Sequence, residues 1–384
     1  MFSAKTEKRI QEEFDHLRDV VYLNSGLTSV PPRCVQQAYA DEMEEFISSY
    51  GSESNWDEEN SRARQGIAKL IGADPWEIAL SNNTTTGLGA IAMGYPWDKH
   101  KNVVVYNKEH PANLFPWLLR RDEGRLNLKL VDAPPAGVRA DDIIAAIDEN
   151  TQAVTVSAVQ YSNGSFVDLE KIGKICKEKG ILLIVDGIQA IGRMNINVRK
   201  TNIDFLACGG HKGMLARNGV GFIYCRQGLE ERIIPPNGSY QSYERPTRAY
   251  PPYCDDTIHW HSDARRFENG NHNHAGVCAL IASTGLINEI GIANIEARVR
   301  ELQQYLYTVL GDHARRLYPV SDHLSGIILA NFRKETRDQV QAILKSHKVY
   351  ATVRPANVRF CINFFNTEEQ MEIVARAIKE IHNL

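Results

Sequence analysis

Seven short apolar runs constrain this chain more than anything else in it. They are 77-EIAL-80, 103-VVVY-106, 127-NLKLV-131, 153-AVTVSAV-159, 181-ILLIV-185, 204-DFLA-207 and 220-VGFIYC-225. Several are continuously apolar, as strands covered on both faces require. Helical patterns separate most of them; 168-DLEKIGKICKEKG-180 opens on an Asp cap and closes on a Gly stop. This alternation predicts an α/β fold with a seven-stranded, mostly parallel, doubly wound sheet. The last two runs are joined by a loop too short for a crossover, so one of them is expected to be antiparallel. Helices are expected over 275–291 and 293–311, and the rest reads as a small C-terminal α+β domain. The expected division is 15–284 for the large domain and 285–384 for the small one, which the N-terminal segment 1–14 joins.

The most telling pair of residues lies in 182-LLIVDGIQAIGRMNINVRKTNIDFLACGGHKG-213. One strand ends on Asp186, with Gln189 three residues on; another ends just before His211 and Lys212. Ligands of open α/β sheets bind outside the carboxyl ends of strands. A carboxylate, an amide, an imidazole and an amine are therefore expected at one crevice. Pyridoxal 5′-phosphate needs such a set: a lysine for the Schiff base and an acid that keeps the pyridine nitrogen protonated. Taken singly, the strand-end Asp reads as a helix cap and the His-Lys pair as solvated surface.

Composition narrows the classes. The net charge is −3, which favours neither nucleic acid nor an anionic membrane. The first residues are charged and helix-patterned, and the longest apolar runs are strand-length. The seven cysteines (34, 176, 208, 225, 254, 278, 361) show no CxxC spacing. Reduced thiols in the cytoplasm are expected.

Several blocks, in order, resemble the class V aminotransferase family of fold-type I pyridoxal phosphate enzymes. They are 82-NNTTTGLGAIA-92, 109-EHPANLFPW-117, 162-SN-163, 186-DGIQAIG-192, 209-GGHKG-213 and 266-RFENGNHNHAG-276. The resemblance runs from about 20-VVYLNSG-26 to 358-VRFCINFFNTEEQ-370, and is nearest to group II cysteine desulfurases, selenocysteine lyases and isopenicillin N epimerase-like proteins. It implies a homodimer with shared sites and an amino-acid substrate. It also implies roles. Lys212 forms the internal aldimine and moves the Cα proton. Asp186 pairs with the pyridinium nitrogen, Gln189 bonds the ring oxygen, and His211 sits beside the lysine near the phosphate. Thr84 and Thr85 bind phosphate at a helix start, where free N–H groups suit a dianion; the plain alternative is a Thr N-cap. His110 stacks on the ring and relays protons. Asn163 lies near the ring oxygen or the substrate carboxylate, or else serves a Ser-Asn-Gly turn. Arg359 binds the substrate α-carboxylate. Asn271 reaches the neighbouring subunit's phosphate.

The chain departs from the desulfurase pattern in places. The stretch 347-HKVYATVRPANVRF-360 is short and lacks the nucleophilic loop cysteine; Cys361 reads as core. A family serine is Gly209, and a family Thr-Pro is Asn271-His272. A glycine-rich substrate loop is replaced by 237-NGSYQS-242. The Pro- and Tyr-rich segment 235–256 reads as a long functional loop, and its Cys254 is the one plausible substitute thiol.

Three rival readings remain. In 87-GLGAIA-92, with Glu109 twenty residues after Gly89, there is the outline of a dinucleotide fingerprint and hence an oxidoreductase. Against it, 81-SNNTTT-86 separates the glycines from their strand. His259, His261, His272 and His274, with Cys254, offer zinc-type ligands without zinc spacing, so no metal is expected. A non-catalytic relative is disfavoured by Lys212, Asp186 and Arg359 together. The preferred function is a C–S or related β-elimination lyase, with aminotransferase or epimerase chemistry as the alternatives.

Overall fold

The computed structural model describes residues 2–50, 56–134, 137–244, 258–315, 323–332 and 334–383. The described strands are, in chain order, β1 (Val21–Tyr22), β2 (Ile78–Ser81), β3 (Asn102–Tyr106), β4 (Asn127–Val131), β5 (Thr151–Ser157), β6 (Leu182–Asp186), β7 (Phe205–Gly209), β8 (Gly221–Cys225), β9 (Ala314–Arg315), β10 (Ile327–Asn331), β11 (Val349–Tyr350), β12 (Thr352–Val353) and β13 (Asn357–Cys361). The seven apolar runs form one sheet in the order β2-β8-β7-β6-β5-β3-β4. All neighbours are parallel except β8, which is antiparallel to both β2 and β7. The short loop carrying Lys212 thus ends in the antiparallel strand its length required.

Alternate residues of these strands feed two cores. Leu80, Val104, Leu183 and Val185 pack into one, and Ala79, Val103, Leu182 and Ile184 into the other. Burial on both faces is why the runs are continuously apolar. Only the edge strand β4 keeps exposed positions, Leu130 among them. The helix Leu169–Lys179 starts on the Asp168 side chain and ends on Gly180 in the left-handed region, at φ 67°.

A second sheet, β12-β13-β10-β9, is antiparallel and has its own core around Leu302, Ile328, Phe360 and Ile378. The helices His274–Ile290 and Ile292–Leu310 lie one residue from their expected bounds. β1 pairs in parallel with β11 as a separate two-stranded sheet, and Val21, Leu23 and Val349 pack in this second core, whereas Ile10 and Phe14 of the N-terminal segment pack in the large one. Among the described residues, no single helix is long and apolar enough to cross a membrane.

The helix Thr84–Gly94 contains both glycines of the GLG run. A Cβ on Gly87 would sit 2.6 Å from Ala207 Cβ and 3.1 Å from Ile223, whereas one on Gly89 would meet nothing within 4 Å. Gly87 therefore lets this helix press onto β7 and β8. Gly87→Ala is expected to destabilise the fold by about 1–3 kcal/mol through overpacking. Gly89→Ala is expected to stabilise it by roughly 0.5–1 kcal/mol through helix propensity. Thermal or denaturant melts of both variants check this; equal effects would contradict the close approach at Gly87.

Candidate active site

The parallel strands deliver their carboxyl ends, and the loops that follow them, to one edge of the sheet. Asp186 is the last residue of β6 and only 2% exposed. Its Oδ1 accepts the Ile188 N–H at 3.0 Å. Burial pushes its pKa up to about 7; the Ile188 N–H and Lys212 pull it down, and Glu109 pushes it further up. Burial likewise lowers the Lys212 pKa, opposed by Asp186 and assisted by Arg359 and Arg193. The two groups press each other toward charge while the interior presses both toward neutrality.

Lys212 sits in a pinned loop. Gly210 N–H donates to the Val220 carbonyl at 2.8 Å, and Ser29 N–H donates to the His211 carbonyl at 2.8 Å. His211 is held neutral, its pKa pushed down to about 4 by burial, Lys212 and Arg217. Gln189, 2% exposed, donates from Nε2 to the Gly26 carbonyl at 3.0 Å. The segment 24–29 therefore backs both Gln189 and the lysine loop.

The loop after β2 opens the helix Thr84–Gly94. Its cap is Asn83, whose Oδ1 accepts the Thr86 N–H at 2.9 Å. Neither Thr84 nor Thr85 is the cap, contrary to the plain alternative. They are the first two helical residues, whose N–H groups have no partner within the helix. Buried Thr84 accepts the Gly209 N–H on Oγ1 at 3.0 Å, and Thr85 is exposed.

His110 follows β3. Its Nδ1 accepts the Ala112 N–H at 3.1 Å, which leaves the ring proton on Nε2. Burial lowers its pKa, with Lys212 and Arg359 adding to the effect. Its ring meets Tyr161 edge-on, centroids 4.9 Å apart. Asn163, in the loop after β5, caps a turn: its Oδ1 accepts the Ser165 N–H at 2.9 Å. The turn chemistry is thus present, whatever else this amide does.

Arg359, 4% exposed in β13, donates to the Tyr161 carbonyl at 2.8 Å and to Thr352 Oγ1 at 3.3 Å, while its Nε has no partner. Arg354, which sequence reading missed, donates to the same Tyr161 carbonyl at 3.1 Å and to the Ser162 carbonyl at 2.6 Å. Among the described residues neither guanidinium has a carboxylate partner. Arg359 also acts on the buried Lys212, whose pKa it helps to lower.

The model of the class-V aminotransferases matches residues 21–374. The chain belongs to that family. It is 29% identical, over 99% of both chains, to a probable cysteine desulfurase of Methanothermobacter thermautotrophicus. It is also 29% identical, over 83% of each chain, to the isopenicillin N epimerase of Streptomyces clavuligerus. In fold it superposes on the apo cysteine desulfurase of Thermococcus onnurineus NA1, with a TM-score of 0.87, 23% identity and complete coverage of both chains. A cystine C–S lyase in complex with its product cysteine persulfide superposes with a TM-score of 0.86 at 18% identity. The fold is that of type I pyridoxal phosphate enzymes, and this class-V chain is a pyridoxal phosphate-dependent enzyme.

The residues fit that cofactor. Asp186 is a buried acid lacking a hydrogen-bonded cation, which a pyridinium N–H would supply. The Thr84 and Thr85 N–H groups offer donors to a phosphate at a positive helix end. Lys212 is a buried amine of lowered pKa, suited to a carbonyl partner.

The residues of the rival readings are placed as follows in the fold. The glycines of the GLG run lie inside a helix rather than at a strand–helix turn. Glu109 is buried and accepts from Ser157 N–H at 2.8 Å and from Gln160 at 2.7 Å, leaving no ribose ligand. The four histidines form no common cluster. His272 pairs with Glu268 at 3.1 Å and His274 with Glu59 at 2.6 Å. Cys254 lies outside the described residues. Cys278 joins Glu59 and His274, but its thiol donates to Glu59, so the three groups already satisfy one another. Asn271 is exposed, in a small cleft with Trp56, Asn60 and Gln241.

Asp186 yields a pH prediction for the cofactor-free protein. Its folded pKa of about 7 exceeds the ordinary 3.8, so wild-type stability falls as pH rises between those values and levels off above them. Asn is neutral throughout. Asp186→Asn should therefore gain on wild type by roughly 2–3 kcal/mol between pH 5 and pH 8. A difference that does not change with pH would contradict the raised pKa.

Proposed function

We propose that this chain is a lyase that cleaves the bond from Cβ to a sulfur-type leaving group of an amino acid, without passing sulfur to a cysteine of the protein as a persulfide. The observation that carries this reading is the turn before Arg359. β12 pairs with β13 in register Val353 to Val358, and Arg354 N–H donates to the Asn357 carbonyl at 2.8 Å. A tight hairpin occupies the stretch where a desulfurase carries its thiol on a long loop, and that stretch contains no cysteine. Cys361 beyond it is fully buried.

Bound pyridoxal phosphate supplies an electron sink for the charge that develops at the substrate Cα. The chain's own residues do the rest. Arg359 holds the α-carboxylate through its planar fork. Lys212, its pKa lowered by burial, takes the Cα proton on Nζ. Asp186 holds a proton at the ring nitrogen, and Gln189 donates to the ring oxygen. Neutral His110 stacks on the ring, and His211, Thr84 and Thr85 line the phosphate. Asn163 borders the substrate. Arg354 adds a second guanidinium, so a substrate with two carboxylates, such as cystine, would find a partner for each. The active form is a homodimer in which Asn271 approaches the phosphate of the other subunit.

The products test this. Incubated with cysteine, cystine and related amino acids, the enzyme should release the sulfur group free and give pyruvate and ammonia, with water consumed. Cys254→Ser should leave kcat within a few-fold of wild type. Alanine formed from cysteine would sink the lyase reading in favour of desulfuration through a thiol, dependence on an α-keto acid in favour of transamination, and an inverted substrate in favour of epimerisation.

A further inference from the structure

Arg193 is among the largest fully buried side chains, at 0% exposed, yet among the described residues no carboxylate accompanies it. Its Nη2 donates to the Gln189 carbonyl and to Gln189 Oε1 at 3.3 Å. Its Nη1 donates to the Ile362 carbonyl at 3.4 Å, and its Nε has no partner. An apolar side chain of similar volume would ordinarily suit such a site better than a lone cation. The charge and the fork therefore need a reason.

We propose that Arg193 is a positioning residue that orients the Gln189 carboxamide toward the cofactor and ties it to the strand end behind Arg359. A guanidinium only donates, so it dictates that Oε1 of Gln189 faces it. Nε2 must then face the opposite way, where one of its hydrogens goes to the Gly26 carbonyl. The second hydrogen is left as the one uncommitted donor, available to the ring oxygen.

The contacts extend to both neighbours of the site. A Cβ on Gly213, next to Lys212, would lie 3.2 Å from Arg193 Cγ. Ile362 directly follows β13, and its N–H donates to the Gly326 carbonyl at 2.7 Å. A Cβ on Gly326, at φ +84°, would lie 3.5 Å from Arg193 Nη1. The Arg193 side chain thus runs past the lysine loop at Gly213, and its guanidinium bonds both the Gln189 amide and the residue that follows β13. Its field also acts on Lys212, together with the fields of Asp186, Arg359 and Cys361; His110 and His211 feel Lys212 in turn.

The inference rests on pyridoxal phosphate at Lys212, not on the lyase reading, and its test reads colour and cofactor retention rather than products. In Arg193→Met holoenzyme, cofactor loss during dialysis should be about tenfold faster. The pH midpoint of the cofactor's absorbance change should rise by roughly half to one unit, because removing a positive neighbour favours the protonated form. Arg193→Lys keeps the charge but cannot bridge carbonyl and amide together. It should hold the midpoint within a few tenths of a unit and still lose cofactor several-fold faster. A folded Met variant with unchanged midpoint and retention would overturn the proposal, as would a Lys variant with wild-type retention. Should the Met variant fail to fold, Gln189→Leu decides. It should lose cofactor at least as fast as Arg193→Lys, and wild-type retention would overturn the proposal.

Discussion

An acid at the end of a central strand, 2% exposed and accepting one backbone N–H, is what the rest of this site depends on. Its raised pKa measures the cost of burial before any cationic partner arrives. The sheet around β6 is apolar on both faces, so little else at this strand end solvates the charge. The same burial lowers the basicity of Lys212. A single constraint, dry surroundings at the carboxyl edge of the sheet, prepares the acid and the amine together.

The sheet explains why these residues meet although they are far apart in the chain. β2, β3, β5, β6 and β7 run the same way, so the loops carrying Thr84, His110, Asn163, Gln189 and Lys212 leave by one edge. The second sheet brings Arg354 and Arg359 over that edge, where both bond the Tyr161 carbonyl. Among the described residues, backbone carbonyls and the Thr352 hydroxyl, not acids, hold these guanidiniums, so their charge is left unneutralised. A salt bridge to a protein carboxylate would have orientated them equally well but spent their charge.

Much of this was legible in the sequence, for a physical reason. Two-sided burial leaves continuous apolar runs, so all seven strands of the large sheet could be located, and the short Lys212 loop implied the antiparallel β8. Asp186, Gln189 and Lys212 could be read because their spacing is local to two strand ends. What escaped depends on long-range bonds. Gln189 meets Gly26 across 163 positions, and Arg354 meets Tyr161 across 193; no periodicity encodes such pairs. Asn83 was passed over as the helix cap because three threonines follow it. Arg193 did leave a trace, the one charged residue in 188-IQAIGRMNI-196, four residues after Gln189.

The central claim is that Lys212 holds the cofactor in the field of Asp186. Borohydride reduction of the yellow holoenzyme, followed by peptide mapping, tests it most directly. The account predicts one reduced pyridoxyl group per chain, on the peptide containing Lys212. A label on another lysine, or a colourless protein that takes up no pyridoxal phosphate, would contradict it.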